Sequence, residues 1–428
     1  MSSGQMLIAS PNPQKFLTQG EGIGGVIKSK PEDFLVEEIP LYEPCGKGEH
    51  LYLQIEKTSV SHGELMSCLR RHFGVKDLHI GYAGMKDKHA VTSQTVSVHL
   101  LDDPPDINID HKRIKVLWAA RHTNKLKRGH LRGNRFVIRI RDVDPLKVTI
   151  AKKRLEELQQ TGMPNFFGPQ RFGYRCNNHL VGAAIVRGDW QAVLDELLGI
   201  TGTPFPDYQQ QLRELYDQGK YAEAAGHWTV ANRNELIAIR GLRDGKSPSN
   251  ACYAIGKAAL SFFVSSLQSA IFNRVLDERI EQGTLHKLME GDLAFKHDSR
   301  SVFKVTAEEL VGDVLVDRLA RFEISPSGPL WGAGMTRTAD AVGDTELRAL
   351  EAAGITFQSL VETSYDQKGA RRAFRVPIEN TSVDGGVDEE GSYIRLAFDL
   401  SRGAYATVLL REIMQTELDD KTSFTAGE

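Results

Sequence analysis

The stretch Gly81-Tyr-Ala-Gly-Met-Lys-Asp-Lys-His-Ala-Val-Thr-Ser-Gln94 is the densest in side chains able to do chemistry. It lies between two segments that read as strands, Leu78 to Tyr82 and Thr95 to Leu100. Gly84 allows the backbone to turn sharply. Asp87 sits between Lys86 and Lys88, two cations that favour an ionised carboxylate. A carboxylate presented on a loop between strands can act as a nucleophile or as a general base. On composition alone a plainer reading is favoured, a charged and solvated hairpin turn, because lone Lys-Asp-Lys triplets are common.

A second stretch is basic. From His111 to Arg141 there is no acidic residue, while Lys112, Arg113, Lys115, Arg121, Lys125, Lys127, Arg128, Arg132, Arg135, Arg139 and Arg141 all fall within it. With no carboxylate close in sequence to neutralise the run, contact with phosphates is favoured over a merely solvated strand face. A third stretch, Asn165-Phe-Phe-Gly-Pro-Gln-Arg-Phe-Gly173, mixes aromatics, amides and a guanidinium. Such groups can stack on bases and bond to their edges, and they can equally make a packed loop. Phe34, after Pro31-Glu-Asp, reads as core.

Other chemistries find no support. The four cysteines, Cys45, Cys68, Cys176 and Cys252, are far apart in sequence, and no H-E-x-x-H occurs. No metal is therefore expected, and the cysteines read as reduced thiols. Gly241-Leu-Arg-Asp-Gly-Lys-Ser247 has three residues between its glycines where a phosphate loop needs four. It reads as a loop. Gly22, Gly24 and Gly25 lack the dinucleotide-binding spacing.

The elements that must position these stretches can be read from periodicity. Leu51, Leu53 and Ile55 alternate with Tyr52, Gln54 and Glu56, the period of a half-buried strand. Ser61 and Glu64 suggest a capping box opening a helix that Gly74 ends. Phe136, Ile138 and Ile140 alternate again, and a helix follows Asp144-Pro145 and stops near Gly162. From about Asp189 to about Gly369 helical periodicity dominates, with Val193, Leu194, Leu197 and Leu198 in one stripe, a long helix over Ile255 to Ile280, and another from Glu308 to Leu319. Val302-Phe303 reads as a short strand. After Ala370 strands return, with Tyr393 to Phe398 alternating, and a helix runs from about Tyr405 to Met414. Residues from about Glu417 read as frayed. One α+β domain interrupted by an inserted helical domain explains this outline, and two sequential domains explain it nearly as well.

The chain has 428 residues, a quarter of them charged, with a formal net charge of -3. That length suggests two or three domains and a substantial core. The charge argues against indiscriminate coating of nucleic acid, but not against a local basic face. There is no continuous apolar run of membrane-spanning length, and Met1 to Gln14 lacks the apolar core of a signal peptide. The expectation is a cytoplasmic protein with no membrane association, no obligate protein partner and a monomeric state.

Taken together, these stretches resemble the TruD family of tRNA pseudouridine synthases. Gly84-Met-Lys-Asp-Lys-His-Ala-Val-Thr-Ser-Gln94 is similar to its signature, Asn165 to Gly173 to a second motif, and Lys30-Pro-Glu-Asp-Phe34 to a third. Arg121-His to Gly133-Asn134 resembles the basic segment, and Phe272-Asn273 and Gly403-Ala-Tyr-Ala-Thr407 match further patterns, in the family's order over nearly the whole chain. The resemblance implies an α+β fold: a catalytic domain with a mixed or antiparallel sheet, in two parts over 1–188 and 371–428, interrupted by a mainly helical α/β insertion over 189–370. It implies isomerisation of a uridine in tRNA, at position 13, to pseudouridine without a cofactor. By the same resemblance Asp87 matches the catalytic aspartate. Phe34, Asn165 and Phe398 match positions lining the uridine pocket, and Lys28 matches a basic residue near the aspartate. For tRNA docking the basic stretch offers Lys125, Lys127, Arg128 and Arg132.

In that chemistry the base leaves the stack, the N-glycosidic bond breaks, and C5 is joined to C1′. Flipping costs a few kcal/mol, offset by pocket contacts, to which stacking contributes roughly 1–3 kcal/mol per base. Asp87 attacks C1′ as a nucleophile or removes the C2′ proton as a base, and the sequence leaves both open. A non-catalytic RNA-binding protein or RNA chaperone on the same scaffold is the main rival. It needs the basic stretch but not Asp87. A phosphate-transferring enzyme is a weaker rival, distinguished by a need for divalent metal or nucleotide.

Overall fold

The computed structural model describes residues 10–104, 106–363, 365 and 368–417. They divide into two compact units, one of 18–163 with 376–417 and the other of 10–17 with 164–375. The family resemblance put the boundaries at 188/189 and 370/371. The observed division falls earlier on the N-terminal side because the helix Asn178–Arg187 packs along the helix Lys257–Glu281. The expected fraying from about Glu417 lies almost wholly outside the described residues.

The first unit is built on one eight-stranded sheet. Its strands are β1 (Phe34–Pro40), β2 (His50–Thr58), β3 (Ile80–Tyr82), β4 (Val91–His99), β5 (Ile114–His122), β6 (Leu131–Arg141), β7 (Ile378–Asp388) and β8 (Gly391–Ser401). They run in the order β7-β8-β6-β1-β4-β2-β5, with β3 paired to β4. The β1–β4 pair is parallel and the others are antiparallel. The sheet is therefore mixed.

One consequence of the topology matters for chemistry. Because β1 and β4 are parallel and β2 is antiparallel to β4, the start of β1, the start of β4 and the end of β2 meet at one edge. Leu35 faces Val91, and Thr58 faces Val91 from the other side. The β3–β4 connection, which carries Asp87, opens at that edge.

Local signals explain much of this unit. Ser61 accepts a hydrogen bond from the Glu64 amide at 3.1 Å, starting the helix His62–Phe73, and Gly74 ends it in the left-handed region at φ 64°. The capping box is only half formed: the Glu64 carboxylate turns instead to Arg113 at 3.0 Å. The β2 strand is not half-buried as its alternation suggested. Leu51, Leu53 and Ile55 pack on Leu65, Leu69, Val96 and Val98, while Tyr52 on the opposite face is buried with Ala83, Leu126 and Leu131. A strand interior to a sheet covered on both faces has no solvent side.

The second unit is mainly helical around Lys257–Glu281, with a four-stranded sheet of Ala370–Ala373, Ile324–Leu330, Leu293–Lys296 and Val302–Lys304. Asp189 caps Trp190–Leu198, whose Val193, Leu194, Leu197 and Leu198 are buried. Lys257–Glu281 has the length and apolarity to cross a membrane, yet 67% of its most apolar window is buried inside the protein, as in a core helix. Two expectations need correction. The helix expected over Glu308 to Leu319 is confined to Val314–Ala320. Gly312, at φ 107°, stands just ahead of it in a conformation no helix contains. The segment Gly241 to Ser247 is not all loop, because Gly241 to Arg243 is the last turn of the helix Arg233–Arg243.

Candidate active site

Asp87 stands in the connection between β3 and β4, its side chain 36% exposed. The Lys28 ammonium lies 3.5 Å from its Oδ2. Lys28 itself is nearly covered and sits 4.8 Å from the centroid of the Phe34 ring. Ion pair and cation–π contact thus hold one lysine between a carboxylate and an aromatic face. Lys28 has φ 58°, a left-handed conformation that a non-glycine residue rarely adopts. Its neighbours hold that shape: Val26 bridges to Arg141, and the buried Asp33 accepts two hydrogen bonds from the Arg141 guanidinium, at 3.0 and 2.7 Å. Asp33 is thus the anchor of the Lys30-Pro-Glu-Asp-Phe34 motif, fastening the entry to β1.

Phe34 and Phe398 are linked through a third ring. Phe34 meets Phe136 edge-on at 6.3 Å, and Phe136 stacks on Phe398 at 5.4 Å. Phe34 is 2% exposed and Phe398 is fully covered. The rings form a wall behind Lys28 across the neighbouring strands β1, β6 and β8.

The two lysines beside Asp87 have other employment than the flanking positions suggested. Lys86 pairs with Glu38 at 2.7 Å, both side chains almost wholly buried, and Lys88 is exposed. The ionic partner of Asp87 is Lys28, far away in sequence. A further buried lysine, Lys57, donates to the backbone carbonyls of Asp87 at 3.0 Å and Val60 at 2.7 Å. The only hint of it in the sequence is a lysine at a position where the alternation calls for an apolar side chain.

The basic stretch divides into two populations. Carboxylates distant in sequence neutralise Arg113 (Glu64), Arg121 (Asp103), Arg135 (Asp399), Arg139 (Asp33) and Arg141 (Asp33 and Asp388). Lys112, Lys115, Lys125, Lys127, Arg128 and Arg132 form no ion pair among the described residues. Lys127, Arg128 and Arg132 are exposed. Arg128 lies over the Tyr82 ring at 5.3 Å and donates to its hydroxyl at 2.6 Å, and Lys125 donates to the Leu78 carbonyl at 2.5 Å. This cationic loop, between β5 and β6, is tied to the Asp87 loop by the Gly129 amide, which donates to the Ala83 carbonyl at 2.8 Å. The approach is close at Gly81, where an added Cβ would come within 2.3 Å of the Leu126 carbonyl oxygen. That glycine, rather than Gly84, is the one the site's geometry demands.

Asn165 belongs to the other unit. It is buried, its Nδ2 donates to the Ala373 carbonyl at 2.9 Å, and its Oδ1 accepts from Arg372 at 2.5 Å. Phe166, Phe167 and Phe172 are core, and the Phe167 amide donates to Asn273 Oδ1 at 2.9 Å. The aromatic loop is thus packed, with Asn273 holding it to Lys257–Glu281.

Comparison with known proteins identifies the family. The family profile described as tRNA pseudouridine synthase D (TruD) matches residues 11–413. The tRNA pseudouridine synthase D of Syntrophotalea carbinolica is 38% identical over 93% of this chain and 98% of its own. That of Geobacter sulfurreducens is 39% identical over 92% of this chain and 95% of its own. A solved structure assigned to the same family, from Methanosarcina mazei, superposes with a TM-score of 0.79 at 29% identity, covering 95% of this chain and 97% of the other. The chain belongs to the tRNA pseudouridine synthase D (TruD) family.

Proposed function

We propose that this enzyme isomerises the uridine at position 13 of tRNA to pseudouridine, with Asp87 as the reacting carboxylate. The observation that carries the reading is the Lys28–Asp87 pair set over the face of Phe34. It puts an anionic group, a cation and an aromatic wall in one place, as a flipped base with its ribose needs. Asp87 acts on the sugar, either at C1′ as a nucleophile or on the C2′ proton as a base. The base is rejoined through C5, which gives up its proton while N1 regains one, so no redox step and no net hydrolysis occur. Phe34 walls the base, with Phe398 behind it, and Asn165 is kept as a base-binding residue on the family resemblance alone. Lys125, Lys127, Arg128 and Arg132 hold phosphates.

The sheet-bearing unit is taken as the catalytic domain, and the mainly helical unit as the one containing the family's insertion, which clamps tRNA. We further expect a monomer acting in the cytoplasm.

The test uses purified protein and unmodified tRNA without metal or cofactor, with pseudouridine mapped by chemical adduct and primer extension. Wild type is expected to give a stop at uridine 13 and Asp87→Asn none, with tRNA affinity retained. A stop elsewhere would refute the position. Tight binding with no stop from either protein would point to a non-catalytic RNA chaperone.

A further inference from the structure

Lys57 is fully buried on β2, a place where an ammonium is costly unless its protons are satisfied. Its partners are main chain: the carbonyls of Val60 and Asp87. No ion pair with a carboxylate accompanies them among the described residues. Lys57 faces Thr92 in the β2–β4 register, so its ammonium reaches from the end of one strand to the connection that leads into the next. Val60 lies in the turn that enters the helix His62–Phe73. Both carbonyls belong to backbone outside the strands, where no ladder partner is available. An apolar residue at 57 would pack without a desolvation penalty, so the buried charge calls for another reason.

We propose that Lys57 is a positioning residue for the isomerisation, fixing the Asp87 main chain and hence the aim of its carboxylate. This rests on the reading of Asp87 as the reacting group. The role carries a pH signature. Burial brings Lys57 down to about 8, with Asp87 and Glu64 opposing the fall and Lys86 adding to it. Around it, Lys86 is engaged by Glu38 and Glu64 by Arg113, and His62 is held below its usual value by burial, by Lys57 and by Arg128. Below about 8 the ammonium makes charge-assisted bonds to both carbonyls. Above that the neutral amine binds them more weakly and the Asp87 loop loosens.

The experiment is single-turnover pseudouridine formation with saturating enzyme, from neutral pH to well above 8, for wild type, Lys57→Met, Lys57→Arg and Asp87→Asn, with tRNA affinity measured for each. Lys57→Met is expected to slow the reaction about 10- to 100-fold, the loss a misplacement near 1 Å produces. Its tRNA affinity should stay within about twofold, below the tenfold that 1.4 kcal/mol gives. Wild type should lose rate as pH rises through about 8. Lys57→Arg should recover much of the rate and move that loss to higher pH. A Lys57→Met enzyme of wild-type rate, or a wild-type rate flat through that pH, overturns the proposal. If Lys57→Met does not fold, the Lys57→Arg and wild-type profiles decide it. Asp87→Asn with full turnover would defeat the Asp87 reading and this one together. An inactive Asp87→Asn beside an unimpaired Lys57→Met would defeat the positioning role alone.

Discussion

Glu38 and Lys86 form an ion pair of 2.7 Å in which the side chains are 1% and 4% exposed, immediately beside the residue proposed to react. Glu38 also accepts from the Thr95 amide at 3.3 Å, so the pair links β1, β4 and the Asp87 connection. Breaking a buried pair by removing one member leaves an uncompensated charge, which typically costs roughly 3–5 kcal/mol. Lys86→Met or Glu38→Leu alone should lower stability by about that much, and the double variant Glu38→Leu/Lys86→Met should recover most of it. Equilibrium denaturation of the three variants checks this. The single and double variants should also leave the salt dependence of tRNA binding unchanged, because Lys86 is already paired within the fold. A shallower salt slope for Lys86→Met would make Lys86 a phosphate ligand instead.

The pairing of Lys28 with Asp87 makes a prediction of its own. With Lys28 removed, Asp87 has no ion-pair partner among the described residues, and Phe34 is left uncovered on that side. Lys28→Met should lower the single-turnover rate by about 10- to 100-fold, the equivalent of roughly 1.4–2.7 kcal/mol. Lys28→Arg, which keeps the charge but not the compact ammonium, should fall between. Binding of tRNA should be much less affected. A Lys28→Met variant that loses affinity and keeps its rate when saturated would place Lys28 on a phosphate rather than beside the reacting carboxylate.

Elements governed by neighbours in sequence were legible. Ser61 and Gly74 bracket their helix, the stripe of Val193, Leu194, Leu197 and Leu198 marks another, and the alternation over Tyr393 to Phe398 marks β8. What periodicity could not supply is the parallel β1–β4 pairing, which brings the Lys28 and Asp87 loops to the same edge of the sheet. The same limit hid the partners of charged residues. Lys86 reads in sequence as a companion of Asp87, but its partner is Glu38, distant in sequence, and the backbone partners of Lys57 are equally hidden. The basic stretch reads as uniformly free in sequence because its neutralising carboxylates, Asp33, Glu64, Asp103, Asp388 and Asp399, all lie outside it. The family resemblance, not composition, made Phe34 and Asn165 candidates for the pocket. Composition read Phe34 as core, and in this fold it is both buried and beside Lys28.

The helical unit offers a pH prediction separate from catalysis. His297 bonds to the Ser325 hydroxyl at 2.9 Å, and burial, with repulsion from Arg375 and Arg300, holds its imidazole down at about 4. The folded form therefore resists the proton that the unfolded chain accepts near 6.5. Stability associated with neutral His297 is complete above that value and is lost as pH falls toward 4. With about 1.4 kcal/mol per pH unit, the loss is of order 3 kcal/mol. Denaturation midpoints followed from neutral to acid pH should fall less steeply for His297→Gln than for wild type. Parallel curves for the two proteins would mean that His297 does not carry the acid sensitivity.

Division of the basic stretch into paired and unpaired cations turns a general expectation about tRNA docking into a discriminating one. Removing one cation from a phosphate should reduce the slope of log affinity against log salt by about one. Lys127 and Arg128 are exposed and without ion pairs among the described residues, so Lys127→Ala/Arg128→Ala should flatten the slope by roughly two and weaken binding across tRNA sequences. Arg113→Ala/Arg121→Ala removes the same formal charge, but from residues whose charge Glu64 and Asp103 already meet at 3.0 and 2.5 Å. That pair should leave the slope close to wild type. Measuring both double variants over a salt series separates a docking loop at the β5–β6 connection from a docking face spread along the strands. Equal flattening by the two pairs would favour the spread face and would mean that Glu64 and Asp103 release their arginines when tRNA arrives.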